Sequence, residues 1–212
     1  MMRSQMAVHD RIGPFIHDLV GGPMEKKPFI RDARVKLLAA ANGRVLEVGA
    51  GTGFNLPHYP AGVDELTVTD GSAGMLRRAE KRADQTGRHV TATTADVENL
   101  PFEDDSFDTV VGSLLLCSVG DQDKALSEIR RVLKPGGQYL FLEHVRSGDQ
   151  KLAHRQDRWE GVWGVVAQGC HPNRDTLPRI ESAFAVDELD QGEVPFGPRI
   201  VRPYILGRAT PV

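Results

Sequence analysis

Leu46-Glu47-Val48-Gly49-Ala50-Gly51-Thr52-Gly53-Phe54-Asn55 reads as the end of a buried parallel strand running into a tight turn ahead of a helix. The run from Val45 to Val48 supplies the strand, Glu47 interrupts it with a carboxylate, and glycines then occupy alternate positions. Glycine tolerates positive φ and carries no Cβ, so such a turn lets a bound group lie almost on the main chain. An ordinary strand-to-helix turn is the competing reading, and it does not call for glycines at this density.

The spacing narrows the ligand. A dinucleotide fingerprint runs G-x-G-x-x-G and places a pyrophosphate at the helix N-terminus. Here the third glycine comes one place early, as Gly49-x-Gly51-x-Gly53, and Phe54 stands where the dinucleotide pattern wants glycine or alanine. Glu47 would repel a pyrophosphate but offers negative charge to an ammonium group. A nucleoside with an amino-acid tail suits this turn. The E-x-G-x-G-x-G form resembles the first motif of the class I S-adenosylmethionine-dependent methyltransferases.

The chain has 212 residues, 40% hydrophobic and 26% charged, the composition of one domain able to bury a substantial core. Its formal net charge is −3 and no Lys/Arg block exceeds two in a row, which argues against nucleic acid as a partner and against a polybasic membrane anchor. Residues 1–20 lack the continuous apolar core of a signal peptide, and no run approaches a membrane span. Cys117 and Cys170 have no metal-ligand spacing in sequence, so no metal is expected; the pair reads as packing residues in a reducing, cytoplasmic setting. Peripheral membrane contact and a monomeric state are compatible with these features.

Residues 1–43 read as an N-terminal helical cover. His9, Ile12, Phe15, Ile16 and Leu19 recur at helical spacing until Gly21-Gly22-Pro23 breaks the pattern, and a second helix spans Phe29 to Ala41. Residues 44–145 form the expected cofactor-binding core. Its first strand is Arg44 to Gly49, and the next ends at Asp70-Gly71-Ser72, with Asp70 placed 19 residues past Gly51 (70 − 51). A carboxylate at a neighbouring strand end can accept from both hydroxyls of a ribose. Ser72 fills the competing N-cap role for a helix over 73–86, whose Met75 lies in the first turn beside the nucleoside while Arg77, Arg78, Lys81 and Arg82 face water. A third strand, His89 to Ala95, hands over to Asp96-Val97, where the carboxylate and the Val97 N–H can read an adenine edge.

The polar turn Glu103 to Ser106 precedes a continuous apolar strand to Leu116, and Asp121 caps a helix that ends at Lys134-Pro135-Gly136-Gly137. A fifth strand runs from Gln138 to Val145. Residues 146–212 supply substrate-side helices, over Lys151–Gln168 and 176–184, and two last strands, over 185–189 and 200–208. The first of these helices aligns Leu152, Gln156, Trp159, Trp163 and Val166 on one face, either as packing or as a pocket wall.

From Met24 to Ala209 the chain resembles the ubiquinone and menaquinone C-methyltransferase branch of that superfamily, and within it the animal thiol S-methyltransferase group. Leu46 through Asn55 with Tyr59-Pro60, then Leu116-Cys117-Ser118-Val119, Leu142-Glu143-His144-Val145, and Gly169-Cys170 with Arg174, match the group's pattern. Members of that group begin with a hydrophobic leader, which residues 1–20 do not resemble. The implied fold is α/β, a Rossmann-like seven-stranded, mostly parallel sheet with helices on both faces and the last strand antiparallel. The implied donor is S-adenosyl-L-methionine, with S-adenosyl-L-homocysteine as product, held by Glu47, Gly49, Gly51, Gly53, Asp70, Gly71, Met75, Asp96, Val97 and Leu114. The implied reaction is methylation of a small molecule, a thiol by preference, with a quinone-like carbon, a phospholipid head-group nitrogen or a non-catalytic donor sensor as alternatives. The sulfonium is already activated, so alignment of the two reactants, worth up to about 7–11 kcal/mol, outweighs acid–base help. His144 and His171 are the candidate bases, each with packing as the rival reading, and His58, Tyr59, Trp159 and Trp163 are candidate pocket walls.

Overall fold

The computed structural model describes residues 2–167 and 169–212, with side chains described from Ile12 onward except at Asp64. Its centre is a seven-stranded sheet in the order β3-β2-β1-β4-β5-β7-β6. The strands are β1 (Gly43–Val48), β2 (Val63–Asp70), β3 (Thr91–Thr94), β4 (Phe107–Ser113), β5 (Leu133–His144), β6 (Phe184–Glu193) and β7 (Pro203–Pro211). The first five pair in parallel, and β7 runs antiparallel to both β5 and β6. The strand order reverses at β1 and β4, and in open sheets of this kind the crevice for a ligand lies beyond the strand carboxyl ends at that switch point. Val45, Leu46 and Val48 of β1 and Val110 and Val111 of β4 are buried, as central parallel strands covered on both faces must be.

Helices cover both faces. One face packs Leu37 and Leu38 of α2 (Pro28–Leu38) and Leu76, Ala79 and Ala83 of α3 (Ala73–Gln85). The other packs Ala125, Leu126, Ile129 and Val132 of α4 (Gln122–Val132), with Ile180 of a later helix, Thr176–Ala183. Helix starts follow the expected chemistry: Ser72 Oγ accepts from Met75 N at 3.3 Å, and the Asp121 side chain accepts from Asp123 N and Lys124 N. The Lys134-Pro135-Gly136-Gly137 segment is a bulge inside β5 rather than a separate turn. Phe107 pairs with Leu133 but Thr109 with Gln138, and the extra residues loop out with Gly136 at φ +78.

Two expectations change. Helix α1 (Met2–Glu25) passes through Gly21-Gly22-Pro23 without a break. Its stripe Ile12, Phe15, Ile16 and Leu19 is exposed, while the next face, with Pro14 buried and His17 and Asp18 half-buried, turns toward the protein; the side chain of His9 lies outside the described residues. Helix α5 (Gln150–Val166) buries Leu152, Ala153 and Gln156 but leaves Trp159 and Val166 exposed, so its expected single face holds only at its start. Among the described residues no helix is long and apolar enough to cross a membrane. The last helix is α6 (Thr176–Ala183).

Candidate active site

Past Val48 the backbone enters left-handed space at Gly49, Gly51 and Gly53, with φ of +64, +56 and +81. The reasons differ along the turn. A Cβ on Gly53 would meet Leu56 Cδ1 at 2.6 Å and Ala79 Cα at 3.0 Å, so this glycine lets the turn close against α3. A Cβ on Gly51 would instead point at His17 Nε2, 3.4 Å away, which places α1 over the open side of the turn.

Glu47 lies beneath this turn and not on the rim. Its Oε2 accepts from the Tyr59 hydroxyl at 2.8 Å and its Oε1 from Asn55 Nδ2 at 2.9 Å, and the residue is buried. Burial pushes its carboxyl up to about 7, against the pull of those two donors and of the Arg34 guanidinium. Tyr59 is therefore a buried prop for Glu47 and does not wall an accessible pocket; His58 beside it is half-buried. Arg34 of α2, invisible as a site residue in the sequence, is buried as well. Its guanidinium donates to both oxygens of Glu25, to Asn55 Oδ1 at 2.5 Å and to Ser113 Oγ at 3.1 Å, tying the end of α1 to the glycine turn and to the end of β4.

Helix α1 is held by charge. Arg78 and Arg82, expected in water, both reach Asp18 of α1. Arg82 also donates to the Thr52 carbonyl and lies 4.4 Å from the centre of the Phe54 ring, which stacks on His17 at 5.1 Å. Burial lowers the pKa of His17, favouring the neutral ring.

Along the rim, Asp70 at the end of β2 accepts from Gly51 N at 2.9 Å and from Ser72 N at 2.8 Å, so its carboxylate is clamped between the glycine turn and the start of α3. Gly71 is exposed, with nothing within 4 Å of an added Cβ, and Met75 is half-buried one turn on. Beyond β3, Asp96 is exposed, with Oδ1 accepting from Glu98 N at 2.9 Å, and Val97 packs partly against the core. Asp70, Asp96 and the glycine turn thus occupy successive carboxyl ends of β2, β3 and β1.

The β4 end is the strained corner. Leu114 takes φ +56, unusual for a branched side chain, and its N–H donates to Leu142 O at 2.7 Å. The turn that follows is fixed by a buried carboxylate the sequence reading did not single out: Glu143 accepts from the backbone N–H of Leu115, Leu116 and Cys117 at 2.9, 2.9 and 3.3 Å. Burial raises the Glu143 pKa and the amides oppose that rise. Arg174 closes the turn from the other side, donating to Leu116 O and Val119 O at 2.8 and 2.7 Å.

Beyond the β5 end, His144 lies with Nδ1 3.6 Å from Cys170 Sγ, and Cys117 joins them, although sequence spacing had hidden this grouping. Hydrogen bonding between the two cysteines and burial push the Cys117 thiol up, while the same contact lowers Cys170 against the cost of burial. His171 is turned elsewhere, its Nδ1 held by Glu160, and its backbone N–H donates to Cys117 O at 2.8 Å. Of the two tryptophans, Trp159 is 52% exposed, whereas Trp163 buries its indole N–H, which makes no full hydrogen bond among the described residues but lies toward the Cys170 thiol. Gln156 donates to Val145 O, Pro172 O and Ile200 O and so knits α5 to the strand end.

Comparison with known proteins agrees with this layout. Residues 46–141 match the methyltransferase-domain family. The chain is 37% identical over 196 residues to thiol S-methyltransferase TMT1B of Rattus norvegicus, spanning 88% of this chain and 79% of that protein. It is 36% identical over 171 residues to phosphatidylethanolamine N-methyltransferase of Cereibacter sphaeroides, spanning 78% and 83%. The crystal structure of N-methyltransferase NodS from Bradyrhizobium japonicum WM9 in complex with S-adenosyl-L-homocysteine superposes with a TM-score of 0.67 at 19% identity, covering 88% of this chain and 89% of that one. Strand order, glycine turn and sequence likeness converge: the chain belongs to the class I S-adenosylmethionine-dependent methyltransferases.

Proposed function

We propose that this enzyme methylates the sulfur of a small thiol. The observation that carries the reading is the identity of 37% to a named thiol S-methyltransferase across 88% of the chain, which takes in the substrate-side helices as well as the donor half. In this reading the ribose hydroxyls bind the clamped Asp70 carboxylate, since a carboxylate has about four acceptor sites. Asp96 and the Val97 N–H take the adenine edge, Gly71 and Met75 flank the nucleoside, and the methionine part lies along Gly49, Gly51 and Gly53. Glu47 acts from below, through the turn, because Asn55 and Tyr59 engage its oxygens. Leu114 faces the donor methyl at the β4 end.

The thiolate attacks the methyl carbon in line with the breaking C–S bond, whose electron pair returns to the sulfonium, giving a thioether and S-adenosyl-L-homocysteine. The thiol proton leaves to solvent, since His171 is held by Glu160 and turned away from the cysteine and histidine cluster. A thiol of pKa about 8.5 is already about one-tenth thiolate at pH 7.5, so a general base would gain at most about tenfold and alignment does the rest.

The test is an acceptor panel with isotopically labelled donor: a small alkyl thiol, phosphatidylethanolamine vesicles and a demethylated quinol. Labelled thioether is the expected product. Labelled phospholipid without thioether would transfer the assignment to head-group nitrogen, the reading favoured by 36% identity to the phosphatidylethanolamine enzyme.

A further inference from the structure

Cys117 follows β4, His144 ends β5 and Cys170 lies between α5 and α6, so three separate segments each deliver one sulfur or nitrogen donor to the same point. One ligand atom from each lies within 4.8 Å of the others. We propose that Cys117, His144 and Cys170 form a binding site for a thiophilic metal cation, with Zn²⁺ the best match in charge and geometry.

The distance between the cysteine and histidine donors fits that ion. A thiolate about 2.3 Å and an imidazole nitrogen about 2.05 Å from one zinc, at a tetrahedral angle, lie about 3.6 Å apart. Cys170 Sγ and His144 Nδ1 are 3.6 Å apart. Two sulfurs and an aromatic nitrogen are also the donor set that zinc prefers over magnesium or calcium, which take oxygen.

The surroundings are built as an outer shell that holds ligands in place. The Cys117 segment is gripped by three N–H bonds to Glu143 and by the Arg174 bonds to Leu116 O and Val119 O. A backbone bond from His171 N to Cys117 O, 2.8 Å, joins it to the segment that carries Cys170. The Trp163 indole N–H, buried and without a full hydrogen bond, lies beside the Cys170 sulfur, where a metal-bound thiolate would accept it. Cys117 and Cys170 are buried, and half-buried His144 marks the side from which an ion enters. Binding releases one proton from each cysteine and clamps the α5–α6 connection to the ends of β4 and β5. Three protein ligands leave a fourth position for water or an added sulfur ligand.

The experiment uses the full chain, reduced, equilibrated with Zn²⁺ and dialysed against a weak chelator, with metal counted by mass spectrometry. The expected result is about one equivalent in the wild type and at least tenfold less in Cys170→Ser and His144→Ala, as for loss of one of three ligands. Binding of S-adenosyl-L-homocysteine by both variants establishes that they are folded. With Co²⁺ in place of Zn²⁺, the wild type is expected to show a thiolate-to-cobalt charge-transfer band in the near ultraviolet that Cys170→Ser loses. Retention of less than about a tenth of an equivalent by the wild type, or equal retention by the folded variants, would overturn the site. So would conversion of Cys117 and Cys170 to a disulfide in air by a chain that takes up no metal when reduced, which would make the pair a redox couple. None of these readouts depends on which acceptor is methylated.

Discussion

Asp70 and Glu47 are both acids at strand ends, yet their surroundings give them opposite duties. Asp70 is half-buried and held by two backbone N–H groups beside the turn. Asp70→Ala is expected to weaken binding of S-adenosyl-L-homocysteine by about 1–3 kcal/mol, the loss of hydrogen bonds to the ribose together with the slackened turn. Unchanged affinity by calorimetry would remove Asp70 from the donor site. Glu47 sits in the core, and its carboxyl titrates near 7 when folded against 4.5 as the ordinary value. A raised folded pKa means the folded chain holds this proton more tightly than the unfolded chain. The resulting stabilisation is complete below pH 4.5 and is lost as pH rises through 7, a swing on the order of 3 kcal/mol from the 2.5-unit difference between 7 and 4.5. Glu47→Gln, which mimics the protonated acid, is therefore expected to flatten the fall in melting temperature between pH 5 and pH 8. A variant whose melting temperature still falls as steeply would place the titration elsewhere. The placement of the glycines, Asp70 and Asp96 at strand ends was legible in sequence because strand-to-turn transitions are written in neighbouring residues. Glu47 was legible as an acid but not as a buried one, since burial is decided by Asn55 and Tyr59 folding back across it.

At the scale of elements, helix α1 shows where a periodic reading meets its limit. The apolar stripe was visible, and burying it was the natural expectation. The helix instead docks through His17, stacked on Phe54, and Asp18, paired with Arg78 and Arg82. Those partners lie across the glycine turn and α3, and nothing in residues 1–25 alone specifies them. If α1 is the cover of the donor site, His17→Ala removes a stacking contact worth about 0.5–1.5 kcal/mol and is expected to raise the dissociation constant of S-adenosyl-L-homocysteine by up to about tenfold. Hydrogen exchange over residues 12–25 should quicken in the same variant. Wild-type exchange in that segment would show the stack to be dispensable. The start and buried stripe of α3 and α4, by contrast, follow their sequence closely, because the capping side chain directly precedes each helix and the stripe lies within it.

For the molecule as a whole, the proposed donor site is assembled from the ends of β1, β2, β3 and β4, so a ligand there would brace the middle of the sheet. Saturating S-adenosyl-L-homocysteine, at about 100 times its dissociation constant, is expected to stabilise the fold by about 2.7 kcal/mol and to raise the melting temperature by roughly 5–10 °C. A melting temperature indifferent to the compound would place its binding outside this site. What the sequence alone determined is the succession of strands, turns and caps, because hydrophobic periodicity and turn chemistry are written within a few neighbouring residues; the sheet architecture came from the family resemblance. Only the tertiary structure decided that Cys117, His144 and Cys170 meet, that Glu143 and Arg174 lock the turn after Leu114, and that α1 turns its polar face inward. Those contacts join segments far apart in the chain, and they follow from strand order and register, which no short stretch of residues encodes.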